Sequence, residues 1–224
     1  MKAAKRFRSI ALDLFLILIA AACLLPFWWT IVMSTLPANL TINDPPMIPG
    51  NQFLVNLEEL LSKVDVFRSF ANSLFVAVIQ VSMTIFFSAL SAFAYAKYTF
   101  KGKNIFFMFT ICTMFMPSQL AWIGQIEVYR SWGILDTYWP FFLGALGNAF
   151  VIVVIRGYIE TGVPNSLLES ARLDGASDIR MFFSIVVPIV RPVIASMAII
   201  QFVGSWNNFS GALMILYTPE KYTL

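Results

Sequence analysis

Five stretches of this chain carry no Asp, Glu, Lys or Arg. They lie between Asp13 and Asp44, Arg68 and Lys97, Lys103 and Glu127, Asp136 and Arg156, and Arg191 and Glu220. A helix crosses the hydrocarbon of a bilayer with about 20 mostly apolar residues, and each run reaches or nearly reaches that length. The second run is dense in Phe, Leu, Ile and Val from Phe70 to Phe93, and such side chains favour insertion by roughly 0.3 to 0.6 kcal/mol each. Hydrocarbon offers the backbone no hydrogen-bond partner, so the runs predict helices. A barrel would show short alternating strands instead. The pattern therefore predicts an all-α integral membrane protein, a polytopic bundle with five transmembrane helices. The run 137–155 contains Pro140, Gly144, Gly147 and Asn148. It reads either as a helix packed against protein, where small and polar residues belong, or as a merely irregular helix.

Between the fourth and fifth runs, the stretch 156–191 is different. It holds Arg156, Arg172, Arg180 and Arg191 against Glu160, Glu169, Asp174 and Asp178, so it cannot lie in hydrocarbon. Ser166 with Glu169 fits a capping box, and Leu167, Leu168, Ala171 and Arg172 follow at helical spacing. Gly175 can take the left-handed turn that ends a helix. Ser177 or Asp178 can then cap a second helix, which Pro188 would close or kink. The expectation is two short helices joined by a glycine turn. Such a hairpin could lie on lipid headgroups, but its balanced charge and its small residues (Ser170, Ala171, Gly175, Ala176) suit docking to a protein better.

Lys and Arg orient the spans. Eleven fall at the N-terminus, between the second and third spans, and in 156–191, against four on the opposite side. The positive-inside rule makes the richer side cytoplasmic, with the N-terminus inside and the segment 37–68 outside. Trp28, Trp29, Trp122, Trp132, Tyr138 and Trp139 lie near predicted outer ends, as interfacial anchors should. The first apolar run continues through Leu24-Leu25-Pro26-Phe27-Trp28-Trp29, too long for a signal core, and reads as an uncleaved anchor. Residues 1–67 form an N-terminal tail, first span and outer segment, set apart from 68–224.

Composition narrows the chemistry. Apolar residues make up 59% of the 224 and charged ones 12%, against ~45–50% and ~25% in soluble domains. Histidine is absent and only Cys23 and Cys112 are present. A His triad, a His-ligated metal and a disulfide framework are excluded. No intramembrane Asp or Glu pair serves an enzyme, and no ionisable residue lies mid-span for an ion-coupled transporter. A net charge of +3 gives no case for nucleic acid. A membrane scaffold that docks a cytoplasmic partner stays open.

The run Glu169-Ser170-Ala171-Arg172-Leu173-Asp174-Gly175-Ala176-Ser177, then Phe182-Phe183, Ile185-Val186-Val187-Pro188 and Pro192, resembles the EAA loop of the membrane subunits of bacterial ATP-binding-cassette importers. Ser170 stands where that motif usually has a second alanine. Asn72-Ser73-Leu74, Ala92-Phe93-Ala94-Tyr95-Ala96, Met116-Pro117-Ser118-Gln119, Gly133-Ile134-Leu135-Asp136-Thr137-Tyr138 and Ser205-Trp206-Asn207-Asn208-Phe209 resemble, in order, the smaller permease subunit of the carbohydrate-uptake, maltose-type branch. The resemblance implies a type I importer transmembrane domain over 68–224. It also implies a sixth helix after Leu224 and hence a C-terminally truncated sequence.

The same resemblance makes 156–191 a coupling loop entering a cleft on a cytoplasmic ATPase dimer, in a bacterial cytoplasmic membrane. The ATPase-coupling residues would be Glu169, Ser170, Ala171, Arg172, Asp174, Gly175, Ile185 and Pro188. Glu169 would pair with an ATPase arginine or cap its own helix. Arg172 and Asp174 would brace the loop or pair across the interface. The further partners implied are a second permease, an extracytoplasmic solute-binding protein and lipid. No G-x-x-x-x-G-K-[ST] loop occurs, so this chain is expected to bind no cofactor, with ATP and Mg held by the partner ATPase. Trp206, Asn207 and Asn208 are candidates for the translocation path, or else form hydrogen bonds between helices, the reading also given to Gln80, Gln119 and Gln201. The substrate implied is a sugar or oligosaccharide, with another solute such as a polyamine as the alternative. Asn39-Leu40-Thr41 matches a glycosylation pattern that a bacterial permease would not use.

Overall fold

A computed structural model describes residues 2–37 and 48–224. The Asn39-Leu40-Thr41 pattern and the side chains of Lys2, Lys5, Arg6, Arg8 and Gln119 lie outside the described residues. Among the described residues every regular element is helical. Four of the described segments are long and apolar enough to cross a membrane: Leu12–Ser34, Val66–Lys97, Trp139–Gly162 and Asp178–Trp206. The chain divides into two compact units, Met1–Asp65 and Val66–Leu224.

The first unit is α1 (Lys2–Ser34) followed by α2 (Phe53–Lys63). Leu14, Phe15, Leu16, Ile17, Leu18 and Phe27 of α1 are all more than half exposed, the state of a helix whose solvent is lipid. Asn56 of α2 donates its amide to the carbonyls of Ser34 (2.9 Å) and Leu36 (2.8 Å), so the last carbonyl of α1 and one just beyond it are satisfied by a side chain.

The second unit is built on α3 (Val66–Lys97), α7 (Ala149–Gly162) and α10 (Val187–Trp206). Ala89, Ala92 and Phe93 of α3 pack with Val151, Ile155 and Ile159 of α7 and with Val190, Val193 and Met197 of α10. In lipid the drive for this is close packing rather than escape from water. Small residues on α3, with Ser88 and Ala92 fully buried, permit that approach. Ser88 also accepts the backbone N–H of Asn148 (3.3 Å).

The third predicted span, 103–127, is instead two short helices, α4 (Lys103–Thr113) and α5 (Ser118–Ser131). Pro117 is extended at the start of α5 (ψ 118°), and a residue preceding proline is itself pushed out of the helical region. The fourth is divided too, into α6 (Trp139–Gly144) and α7. Asn148 starts α7 as a cap, its Oδ1 accepting from Val151 N–H at 3.1 Å. α7 runs past Arg156 because Arg156 pairs with Glu160 at 2.6 Å and lies 3.8 Å over the Phe107 ring. The charge is thus matched within the protein.

The fifth span begins thirteen residues earlier than the charge pattern implied. α9 (Asp178–Met181), a π turn (Phe182–Val186) and α10 form one continuous segment. Pro188 neither closes nor breaks it. The π turn places Val187 N–H on the carbonyl of Phe182, a five-residue spacing that shifts the ladder just where the missing proline N–H would otherwise leave a gap. The expected loop 156–191 therefore shrinks to residues 163–177. Beyond α10 come α11 (Phe209–Ile215) and a single 3-10 turn (Pro219–Lys221).

Candidate functional site

Residues 163–177 form a braced turn at one end of the bundle. Val163 is 1% exposed, and Lys97 of α3 donates to its carbonyl (2.6 Å) and to Asn165 Oδ1 (2.9 Å). Pro164 is extended and starts α8 (Asn165–Leu173) without a side-chain cap. Ser166 thus falls inside the helix, and the expected capping box with Glu169 does not form. Leu168 is buried in the main core and anchors α8.

At the other end of α8, Gly175 has φ +80°. Its N–H donates to Arg172 O (3.0 Å), and Ala176 N–H donates to Ala171 O (2.9 Å). That pair of bonds is the Schellman closure, which glycine makes without strain. Ala171 and Ala176 pack together against the core. Ser177 then caps α9, accepting from Arg180 N–H (3.3 Å).

Arg172 points inward to the turn. It reaches Asp178 at 3.5 Å and lies 5.2 Å over the Tyr98 ring. Burial, and then the nearby Asp178 carboxylate, push the Tyr98 phenol above its ordinary pKa, so it stays protonated. Glu169 and Asp174, by contrast, are exposed and make no side-chain bond among the described residues. Leu173 is 90% exposed and Ile179 70%. The turn and the start of α9 present two free carboxylates and two bare aliphatic side chains on a rigid frame. Ser170 spends its hydroxyl on Ser166 O (2.9 Å). Ile185 and Pro188 lie apart from this group, Ile185 in the π turn against the core and Pro188 at the start of α10.

The three path candidates do not act together. The Trp206 ring sits between Phe202 (5.7 Å, stacked) and Phe70 (5.4 Å, edge-on). Asn207 folds back to Val203 O (2.9 Å). Asn208 caps α11, its Oδ1 accepting from Gly211 N–H (3.1 Å), and borders a cavity with Gln80, Trp122, Gln125 and Tyr129. Gln80 and Gln201 do join helices, accepting from Ser205 (2.6 Å) and Asn148 (3.3 Å).

Periodicity gave no sign of a second network at the opposite end of the bundle. Asp136, at φ +56°, accepts the N–H groups of Tyr217 and Thr218 (3.0 Å each) and the Thr218 hydroxyl. Lys221 Nζ donates to its Oδ2 at 2.9 Å. The Thr218 hydroxyl, with Lys221 and the two N–H groups, holds this carboxyl well below the usual range. The same C-terminal segment bonds α3, where Asn72 donates to Glu220 O and Tyr222 O (3.0 Å each). Glycine and a residue tolerant of the left-handed region in Gly133–Asp136 were the only signals available.

Residues 84–223 match the family model described as binding-protein-dependent transport system inner membrane component. The chain is 30% identical over 224 residues to the arabinooligosaccharides transport system permease protein AraQ of Bacillus subtilis, covering 96% of this chain and 78% of that relative. Protein LplC of Bacillus subtilis is 32% identical over 212 residues, 94% of this chain and 71% of LplC. The permease protein UgpE of the sn-glycerol-3-phosphate transport system of Salmonella choleraesuis is 29% identical over 208 residues, 90% of this chain and 74% of UgpE. Among solved structures, a bacterial ABC transporter involved in import of the acidic polysaccharide alginate superposes with a TM-score of 0.81 at 24% identity. The match spans 97% of this chain and 77% of that one. At that identity the likeness carries the fold alone.

Proposed function

The chain belongs to the family of binding-protein-dependent transport system inner membrane components, and on that premise we propose that it is the membrane-spanning permease subunit of an importer for a sugar or oligosaccharide. A separate ATPase drives it, and a second permease and an extracytoplasmic solute-binding protein complete the complex. Relatives that carry arabinooligosaccharides and α-glucosides in their names support the substrate class.

The observation that carries this reading is the turn 163–177. Leu168, Lys97 and the Schellman closure hold it rigid, while Glu169, Asp174 and Leu173 are left bare. A contact that must transmit a push needs both properties. Glu169 is the carboxylate for an ATPase arginine, a charge-assisted bond, and Leu173 fills an apolar recess beside it. Arg172 braces the turn from within. Transport then follows from two packings of the bundle that the ATPase stabilises unequally.

The turn lies at the end of the bundle where Lys97, Lys103, Arg172 and Arg180 also lie, and this end is cytoplasmic by the positive-inside rule. That orientation puts the Asp136 network outside, and the same rule applied to Lys2, Lys5, Arg6 and Arg8 puts the N-terminus inside. On this orientation we read α4 and α5 together, the divided third span, as a fifth crossing. Broken helices are tolerated at membrane depth where they line a cavity, and α5 supplies four residues to one.

Co-expression with a sugar-importer ATPase and second permease tests the docking. The native complex retains the ATPase on purification, whereas Glu169→Ala and Gly175→Asp insert in the membrane and lose it. Retention by both variants would overturn the reading.

A further inference from the structure

A group of unspent polar side chains in the second unit surrounds the cavity between α3, α5, α6 and α11. Its volume is about 220 Å³. That is somewhat below the ~300–1,000 Å³ of sites for drug-sized ligands, and it suits one ring rather than a chain of rings. Gln125 makes no hydrogen bond among the described residues, the Tyr129 hydroxyl none either, and Asn208 uses only its Oδ1, on Gly211. Trp122 offers an indole face and an N–H. Gln80, fixed by Ser205, also lines it.

No Asp, Glu, Lys or Arg lines this cavity. Amides and hydroxyls donate and accept without carrying charge, and an aromatic face takes the C–H face of a sugar ring. A carboxylate or phosphate entering here would give up part of its water and meet no cation in exchange. On the proposed importer function, we infer that this cavity is a translocation subsite for a single neutral sugar ring. Trp122 is its stacking platform, Gln125 and Asn208 Nδ2 hydrogen-bond the ring hydroxyls, and uronic acids and sugar phosphates are excluded. The subsite lies within this chain, and its specificity is set by what the lining lacks as much as by what it holds.

The test is ATP-driven uptake into proteoliposomes holding the full importer at saturating binding protein. The probes are a neutral pentose trisaccharide, a neutral glucose trisaccharide and a trisaccharide of uronic acids. Native complex carries a neutral probe in preference to the uronate. Trp122→Ala lowers neutral uptake roughly 3- to 10-fold, the size of one lost aromatic contact, with the ATPase still bound. Gln125→Arg lowers neutral uptake and raises the share of uronate carried. Should Trp122→Ala assemble poorly, a diazirine-bearing neutral trisaccharide reports directly, labelling the 122–129 peptide of the native chain during turnover. Unchanged uptake in Gln125→Arg, or labelling confined to the second permease, overturns the subsite while leaving the importer function standing. A native complex that carries none of the three sugars overturns both.

Discussion

Replacing Gly175 by alanine perturbs the turn 163–177, the proposed docking site, through the backbone alone. A methyl group at this position would meet no atom within 4 Å, so no steric clash contributes. The φ of +80° is the whole penalty. An L-residue in the left-handed region costs about 1–2 kcal/mol, which is roughly a 5- to 30-fold change in a two-state population. If the ATPase docks only on the closed turn, the bonds from Gly175 to Arg172 and from Ala176 to Ala171 must form first. Affinity then falls by the same factor. Titrating purified ATPase onto the permease pair in nanodiscs measures it. Gly175→Ala binds roughly 5- to 30-fold more weakly than native. Gly175→Asn falls between them, because asparagine tolerates the left-handed region better than alanine. Equal affinity for native and alanine forms would refute the reasoning. An asparagine form weaker than alanine would refute it too, since the loss would then track side-chain bulk at the interface.

Three other outcomes follow from the same structure. Leu168→Ala removes the anchor of α8 at a cost of about 2–5 kcal/mol for a buried leucine, and trypsin cleaves after Arg172 markedly faster than in the native protein. Asp136→Asn lowers the melting temperature of the purified complex. Because the folded pKa of Asp136 is depressed, its stabilisation is full above the unfolded value near ~4 and is lost as pH falls towards the folded one. The gap between native and Asn forms is therefore constant from about pH 7 to about pH 5 and narrows below about pH 4. A gap that does not narrow would count against the carboxylate as its source. Trp206→Phe keeps uptake near native, because its ring packs between Phe70 and Phe202 rather than in the cavity.

The second span was plain in the sequence because lipid leaves the backbone one choice, and α3 (Val66–Lys97) contains the whole charge-free run between Arg68 and Lys97. Gly175 and Ser177 were legible as local chemistry, a residue for positive φ and a hydroxyl for a free N–H. Charge was the misleading signal. Arg156, Arg180 and Arg191 stand on helices that continue past them, so a loop drawn by charge alone came out as 156–191 rather than 163–177. Proline misled in both directions. Pro117 divides a span that composition reads as continuous, while Pro188 is absorbed by a π turn that no periodicity announces. The Asp136 network joins residues some eighty positions apart, and the cavity draws on four helices. A single sequence gives no distance between such positions, so Gln125 and Tyr129 passed unremarked beside the more conspicuous Trp206, Asn207 and Asn208.

The most direct measurement is uptake of a labelled neutral oligosaccharide into proteoliposomes, with and without this chain. The vesicles also hold the second permease, the ATPase pair and the solute-binding protein. Uptake that requires both this chain and ATP, and that Glu169→Ala abolishes while leaving the chain in the membrane, is the predicted result. Uptake that persists without the chain, or that is indifferent to Glu169, would contradict its role as the coupled permease.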